Sequence, residues 1–320
     1  MPATGPGPHP PPRGLTAPEV ALLAALAVLW GSAYIFIWEG IVLGASPLLF
    51  AAVRYALSAA LFAALAAVRR EPLPDVRAWG LSASVGGILV IGLYGGFLYW
   101  GEQYTTGGYA SVLSSTAPIL TVIFAYFLLP AERLGVLSAV GIAVGFVGVV
   151  VLVLPDLQGG VGGGWHGPLF ILAAFLSTAL GTVLLRRAGS GPQGLWQLAS
   201  QFAVAGAILG GACVVLPYPR HLPLGTGVLL SLGALVLFSS VMGYFVYYTL
   251  HHRVGPVRAN VVAYLLPLVG IGIGSGLFGE PVRLSEVLGF LIVVAGVTLV
   301  LRGASTGPRD AAPEEATDSG

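Results

Sequence analysis

Between Val20 and Leu301 the chain is written as ten apolar runs separated by short polar breaks, at 20–38, 48–68, 79–100, 109–129, 136–154, 168–185, 195–216, 226–250, 259–278 and 285–301. A helix needs about 20 mostly apolar residues to cross the hydrocarbon core of a bilayer, and these runs match that length. Charged residues make up 8% of the chain, against about 25% in a soluble domain. With 56% hydrophobic residues there is too little polar surface to cover a water-soluble globule of this size. The expected class is an all-α integral membrane protein with ten transmembrane helices.

The ends differ from the rest. Residues 1–19 are rich in proline and glycine, 302–320 are polar, and both are expected to be disordered. Val20 to Trp38 is longer than the apolar core of a typical signal peptide, and further spans follow it. It therefore reads as the first span rather than a leader. The single Cys213 rules out an internal disulfide and reads as a small core residue.

The stretch from Tyr104 to Leu154 is written twice. Pro118 reappears as Pro267 at a spacing of 149. Glu132, Gly141 and Gly148 reappear as Glu280, Gly289 and Gly296 at a spacing of 148. Ser32 with Ser177 and Pro47 with Pro192, both at a spacing of 145, extend the match to the earlier part of each half. Self-similarity at half the chain length marks a duplicated unit. The expected units are 20–154 and 168–301, joined by a glycine-rich linker at 155–167.

Arginine sets the orientation, since there is no Lys. With the N-terminus in the cytoplasm, the cytoplasmic segments hold Arg13, Arg69, Arg70, Arg77, Arg133, Arg186, Arg187, Arg253, Arg258, Arg302 and Arg309. The external loops then hold only Arg220 and Arg283. This asymmetry obeys the positive-inside rule and puts both termini in the cytoplasm. Each half has five spans, an odd number, so the second copy runs the opposite way through the bilayer. Two inverted five-helix repeats are the construction of many secondary transporters, which bind solute where the repeats meet.

Within that frame certain residues stand out. Arg54 lies seven residues inside the second span, roughly 10 Å by helical rise, where a charge is costly and needs protein or water around it. Topology makes Glu102, at the external end of the third span, its best candidate partner. Arg54 reads as a substrate anchor or gate, or as a structural arginine bonded to helix-end carbonyls. Glu102 could bind a cationic solute or exchange a proton, or be a solvated helix end. Glu39 reads as a loop carboxylate.

Aromatic residues supply candidate walls for a solute site: Trp30 and Tyr34 on one stripe with the interfacial Trp38, then Tyr94 and Tyr99, then Tyr244 and Tyr248 one turn apart. Tyr247 is expected to point elsewhere. Tyrosine combines large contact area with one hydroxyl, which suits a broad pocket. Ser111, Ser114, Ser115 and Thr121 surround Pro118, while Asn260 and Tyr264 precede Pro267. Of these, Ser114, Asn260 and Tyr264 join the candidate substrate contacts, although hydroxyls of this kind also bond back to their own helix. The mirrored prolines read as kinks or hinges. Gly141, Gly145 and Gly148, Gly270 with Gly274, and Gly272 with Gly276 give small-residue spacings that let helices approach closely. They are read as internal packing first and as a homodimer contact second. Glu132 and Glu280 sit in short turns, where capping a helix N-terminus accounts for them.

Other chemistries find no support. The five His are scattered or adjacent, with no Cys/His metal spacing. Neither a G-x-x-x-x-G-K-[ST] loop nor a G-x-S-x-G elbow occurs. No catalytic residue, metal or cofactor is expected, and a net charge of +1 argues against nucleic acid.

Taken in order, Trp30-Gly31-Ser32, Pro47 to Arg54, Gly101-Glu102-Gln103-Tyr104, Pro118 to Glu132-Arg133-Leu134, and Glu280 to Gly289 and Gly296 resemble the EamA-type branch of the drug/metabolite transporter superfamily over about residues 20–303. The resemblance implies ten helices in two inverted repeats and cytoplasmic ends. It also implies a central cavity near helices one, three, four, six, eight and nine. The implied activity is export of amino acids, metabolites or toxic organic compounds across a bacterial inner membrane, so the partners are a small-molecule substrate and the bilayer. Two departures argue against a strictly symmetric substrate site: Pro281-Val282-Arg283-Leu284 replaces the compact Glu-Arg-Leu turn, and Ser177-Thr178 replaces Trp-Gly-Ser. The alternatives are a non-transporting receptor or scaffold, and an integral-membrane lipid-modifying enzyme.

Overall fold

The structure, a computed structural model, describes residues 16–129, 135–157, 164–189, 194–216, 219–254 and 260–305. Its helices are α1 (Ala17–Val42), α2 (Pro47–Val68), α3 (Trp79–Tyr104), α4 (Gly107–Leu128), α5 (Val136–Leu157), α6 (His166–Arg187), α7 (Gly194–Val215), α8 (Thr226–Leu250), α9 (Val262–Phe278) and α10 (Leu284–Ser305). No strand occurs among the described residues. The first eight helices are long and apolar enough to cross a membrane; α9 and α10 contribute shorter apolar stretches. This is an all-helical membrane fold. The Glu132 turn and Pro192 lie outside the described residues.

Local chemistry sets the helix ends. Glu19 accepts a hydrogen bond from the Thr16 amide (2.7 Å), and Pro47 opens α2 where its missing N–H costs nothing. α1 runs on to Val42, so Glu39 belongs to its last turn rather than to a loop. α9 closes on Gly279, whose φ of +66° is the left-handed conformation that glycine adopts without penalty.

Helix packing follows one rule. α5 packs on α10, α2 on α7 and α4 on α9, each helix against the one five places on. Several further contacts come in pairs related by the same shift: α1 with α8 and α6 with α3; α1 with α9 and α6 with α4; α2 with α8 and α7 with α3. The glycines explain the closest pair. A methyl group at Gly141 would lie 2.6 Å from the carbonyl oxygen of Gly296, and one at Gly296 would lie 2.6 Å from that of Gly141. For Gly148 and Gly289 the two distances are both 2.9 Å. Gly141 thus faces the counterpart of Gly148, and Gly148 the counterpart of Gly141. As the α5 number rises the α10 number falls, so the two helices run antiparallel. The same holds for α2 and α7, where Glu71 meets Leu195, Phe62 meets Phe202 and Ser46 meets His221.

Two features were not expected from the sequence. Ser82–Leu93 in α3 and Leu235–Met242 in α8 wind as π-helix, so the third helix of each half is loosened along part of its length. The prolines sit where the helix type changes within α4 and α9. Pro118 and Pro267 each sit in the first turn of a fresh α-helical segment, just after the 3-10 turns Ser114–Thr116 and Asn260–Tyr264. Proline is tolerated in a first turn because no hydrogen bond is lost there.

Candidate functional site

Arg54 lies on the inner face of α2 and is 8% exposed. Its guanidinium donates to the hydroxyls of Tyr99 (3.0 Å), Ser239 (2.9 Å) and Ser240 (3.4 Å) and lies 5.4 Å from the ring centre of Tyr55. The expected ion pair with Glu102 is therefore replaced by neutral hydroxyls. The reason is positional. The π-wound part of α8 places Ser239 and Ser240 beside α2, while Glu102 sits about 4.5 Å further along α3 than Tyr99 by helical rise. A guanidinium tolerates such a setting because its weakly hydrated, planar charge can be spread over several hydrogen bonds and an aromatic face.

A second group adjoins it. The Tyr34 hydroxyl lies near Tyr94 and Ser114, bringing α1, α3 and α4 together. Ser114 also donates to the carbonyl of Ser111 at 2.6 Å, and Ser111, Ser115, Thr116 and Thr121 likewise bond back to their own helix. Around these polar groups the rings form a continuous layer. Trp30 meets Tyr244 (5.7 Å between centroids) and Tyr247 (5.2 Å), and Tyr244 meets Tyr248 at 6.3 Å. Tyr247 therefore joins the cluster it was expected to avoid. Trp30 also donates to the Ser239 carbonyl (3.2 Å), tying α1 to the π-wound segment.

Sequence reasoning missed Phe50, Tyr55, Phe62, Phe202, Ser239 and Ser240. Phe202 on α7 meets Tyr55, Phe62 and Tyr244 at 5.4–5.6 Å, linking the Arg54 group to the Tyr244 group. Tyr55 follows Arg54 directly, and that adjacency was the one available signal. Tyr264, by contrast, packs against Ile119, Val293 and Val297 in the α4–α10 region, away from the aromatic layer. The side chain of Asn260 lies outside the described residues.

Burial across the cluster is uneven: Tyr34, Tyr99 and Glu102 are 4%, 0% and 1% exposed, whereas Trp30, Tyr94, Tyr244, Tyr247 and Tyr248 are only partly buried. An apolar groove with a volume of about 370 Å³ opens elsewhere, between α2 and α8, lined by Leu57, Leu61, Leu232 and Val236 among others. At the end of the bundle where α3 stops, both oxygens of Glu102 and one of Glu280 are buried without a hydrogen-bond partner. The other Glu280 oxygen accepts from the Gly108 amide at 2.9 Å. Burial pushes the Glu280 carboxyl above its ordinary range, against the opposing pull of the Gly108, Thr106 and Gly107 donors.

The same chain is recognised by the model of the EamA-like transporter family, which matches it twice, over residues 18–154 and 165–302. The protein belongs to the EamA-like transporter family. It is 32% identical over 289 residues to the uncharacterized inner membrane transporter YedA of Escherichia coli K12, covering 89% of this chain and 91% of YedA. It is 29% identical to the uncharacterized transporter YvbV of Bacillus subtilis, covering 87% and 90%. A probable amino-acid metabolite efflux pump of Salmonella typhimurium is 26% identical over 304 residues, covering 88% and 94%. One crystal structure superimposes with a TM-score of 0.61 at 21% identity, covering 91% of this chain and 99% of the other, and speaks for the fold alone. This EamA-family protein is a multi-pass membrane transporter of the drug/metabolite superfamily, and its Arg54–aromatic cluster lies where helices of both matched segments meet.

Proposed function

We propose that this protein exports small organic molecules across the bacterial inner membrane by alternating access, using two inverted five-helix repeats with both termini in the cytoplasm. The observation that carries this reading is the reciprocal packing of α5 on α10. Counterpart helices touch at exchanged glycines and run antiparallel. Two like units related in that way can trade conformations, and the trade turns an inward-facing molecule into an outward-facing one. The solute site is the layer of Trp30, Tyr34, Tyr94, Tyr99, Tyr244 and Tyr248 around Arg54, with Ser114 at its edge. Opening either end would part these rings, and their broad faces suit varied organic solutes. The efflux pump among the relatives supports amino-acid-like compounds as the first solutes to try.

The decisive measurement is counterflow of a solute panel in proteoliposomes, beginning with amino acids and aromatic amines. Exchange of at least one class is expected, with Tyr244→Ala lowering it several-fold while the protein stays folded. A correctly folded, reconstituted protein that moves no member of the panel would leave the receptor or scaffold reading in its place.

A further inference from the structure

α1, α4 and α9 converge at the end of the bundle where α3 stops, and two carboxylates are sealed into that junction. The Glu280 carboxylate sits in a cradle of glycines. A methyl group at Gly108 on α4 or at Gly274 on α9 would lie 2.5 Å from its Oε2. That oxygen accepts from the Gly108 amide, while the Glu280 amide donates to the Gly274 carbonyl at 3.0 Å. One residue thereby ties the start of α4 to the end of α9. Gly107 packs equally tightly on α1, where a methyl group would lie 2.7 Å from the Tyr34 carbonyl oxygen. Glu102 lies within electrostatic reach of Glu280 and is itself 1% exposed. Three oxygens of the pair, both of Glu102 and Oε1 of Glu280, accept no hydrogen bond.

Two carboxylates buried in one junction are not both stable as anions when no donor meets three of their four oxygens. Arg54 does not supply the missing donors, because its hydrogen bonds go to Tyr99, Ser239 and Ser240. Resting on the transporter reading above, we propose that Glu102 and Glu280 form a proton-binding site that holds the external end of the bundle closed while the pair carries one proton. Loss of that proton leaves two negative charges in one dry junction. Separating α4 from α9 and admitting water relieves them. By linkage, the closed state binds the proton more tightly than the open one, so closure is favoured at low pH and lost as pH rises. The bundle then couples a proton to the opening of one side.

The ionisable groups around the pair are Tyr34 from α1, Arg54 and Tyr55 from α2, Tyr99 from α3 itself, His166 from α6, which lies against Tyr104, and the Arg283–Glu286 contact at the start of α10. Of these, His166 is the group whose ordinary range falls near neutrality, so its replacement is the natural control.

Infrared difference spectroscopy on the purified protein in lipid tests the site without any solute. The expected result is a protonated-carboxyl band at neutral pH that disappears as pH rises and is missing in Glu102→Gln. In Glu280→Gln, with the neighbouring charge removed, the band should disappear at lower pH than in the wild type only if Glu102 is ionising. Absence of the band, its survival in Glu102→Gln, or its loss on adding sodium at constant pH overturns the proposal.

The opening is read separately, by labelling Ser111→Cys in a Cys213→Ser background with an impermeant maleimide in right-side-out vesicles. Ser111 is fully buried against Gly270 and becomes reachable when α4 and α9 part. Wild-type labelling should exceed that of the Glu102→Gln form increasingly as pH rises, by up to about tenfold per pH unit for a one-proton switch. Glu280→Ala should label at every pH, and His166→Gln should behave as wild type. A wild-type to Glu102→Gln ratio indifferent to pH, or a pH dependence that vanishes with His166, rejects the gate. Failure of the solute panel with the band and gate intact would instead count against the transport reading alone.

Discussion

Arg54 keeps its charge in a place where a charge is expensive, and it does so with hydroxyls. Each such bond in a membrane protein contributes about 0.6 kcal/mol, and at most about 1.7. Ser239→Ala should therefore lower stability only slightly, by about 0.5–1.5 kcal/mol, with Tyr99→Phe close to it. Arg54→Met removes the cation and leaves hydroxyls able to bond to each other or to their own helices, so the fold should survive. Solute exchange should fall at least tenfold, because the cluster would lose its only charged group among its hydrogen-bonded members. Thermal unfolding and counterflow, measured on the same preparations, check both halves of this expectation. A folded Arg54→Met protein with wild-type exchange would make Arg54 a purely structural residue. The arginine itself was visible in the sequence because a charge inside an apolar run breaks the pattern. Its partners were not, since Ser239 and Ser240 lie 185 and 186 residues away. Nothing in a linear pattern states how a distant helix is rotated. The topological preference for Glu102 took no account of direction, and the guanidinium points to hydroxyls on α3 and α8 instead.

At the scale of the helix, the α5–α10 seam is backbone against backbone, which leaves no flexible side chain to give way. Gly141→Ala and Gly289→Ala should each cost about 1–3 kcal/mol as overpacking, and they should cost about the same, because each residue faces an equivalent environment. Gly272 and Gly276 have the same spacing but no neighbour within 4 Å of an added methyl. Gly272→Ala should be neutral or gain up to about 1 kcal/mol from helix propensity. Equal losses at all three positions, in denaturant or thermal titrations, would mean that the seam is not the origin of the effect. A second element-level contact is Glu71, whose carboxylate accepts from the Leu195 amide at 2.9 and 3.0 Å and so caps α7. Glu71→Ala should cost about 1 kcal/mol, as lost caps do. The sequence marked Gly141 and Gly148 as residues for close packing and Gly289 and Gly296 as their repeats, but not that the two sets meet each other. The π-wound stretches were not legible. Their i to i+5 bonding depends on what packs beside them, such as Gln201 and Val204 against Gly86 and Gly87, and not on a composition that equally describes an ordinary helix.

Over the whole molecule, the helix pairings run mostly between the halves rather than within them: α5 with α10, α2 with α7, α3 with α6, α4 with α9, and α1 with α8 and α9. The bilayer made the all-helical membrane class readable, since it dictates the length of apolar runs. How two halves interleave is dictated by side-chain shape instead, and that only coordinates reveal. Interleaving has a consequence that separates it from two side-by-side domains. A half expressed alone leaves its packing faces open, with small residues such as Gly141 and Gly148 facing lipid that cannot fill the notch as the partner helix does. If the chain is cut between Leu157 and His166, neither piece alone should be recovered as a monodisperse, heat-resistant species. The two pieces co-expressed should copurify and unfold together, within a few degrees of the intact protein. Reporter fusions at the same cut and at residues 129–135 and 279–283 would read the sense of each half: external at the cut and at 279–283, cytoplasmic at 129–135. A first half that folds by itself, or a 279–283 fusion found on the cytoplasmic side, is incompatible with two interleaved units laid in opposite directions. Either outcome would remove the symmetry on which alternating access depends.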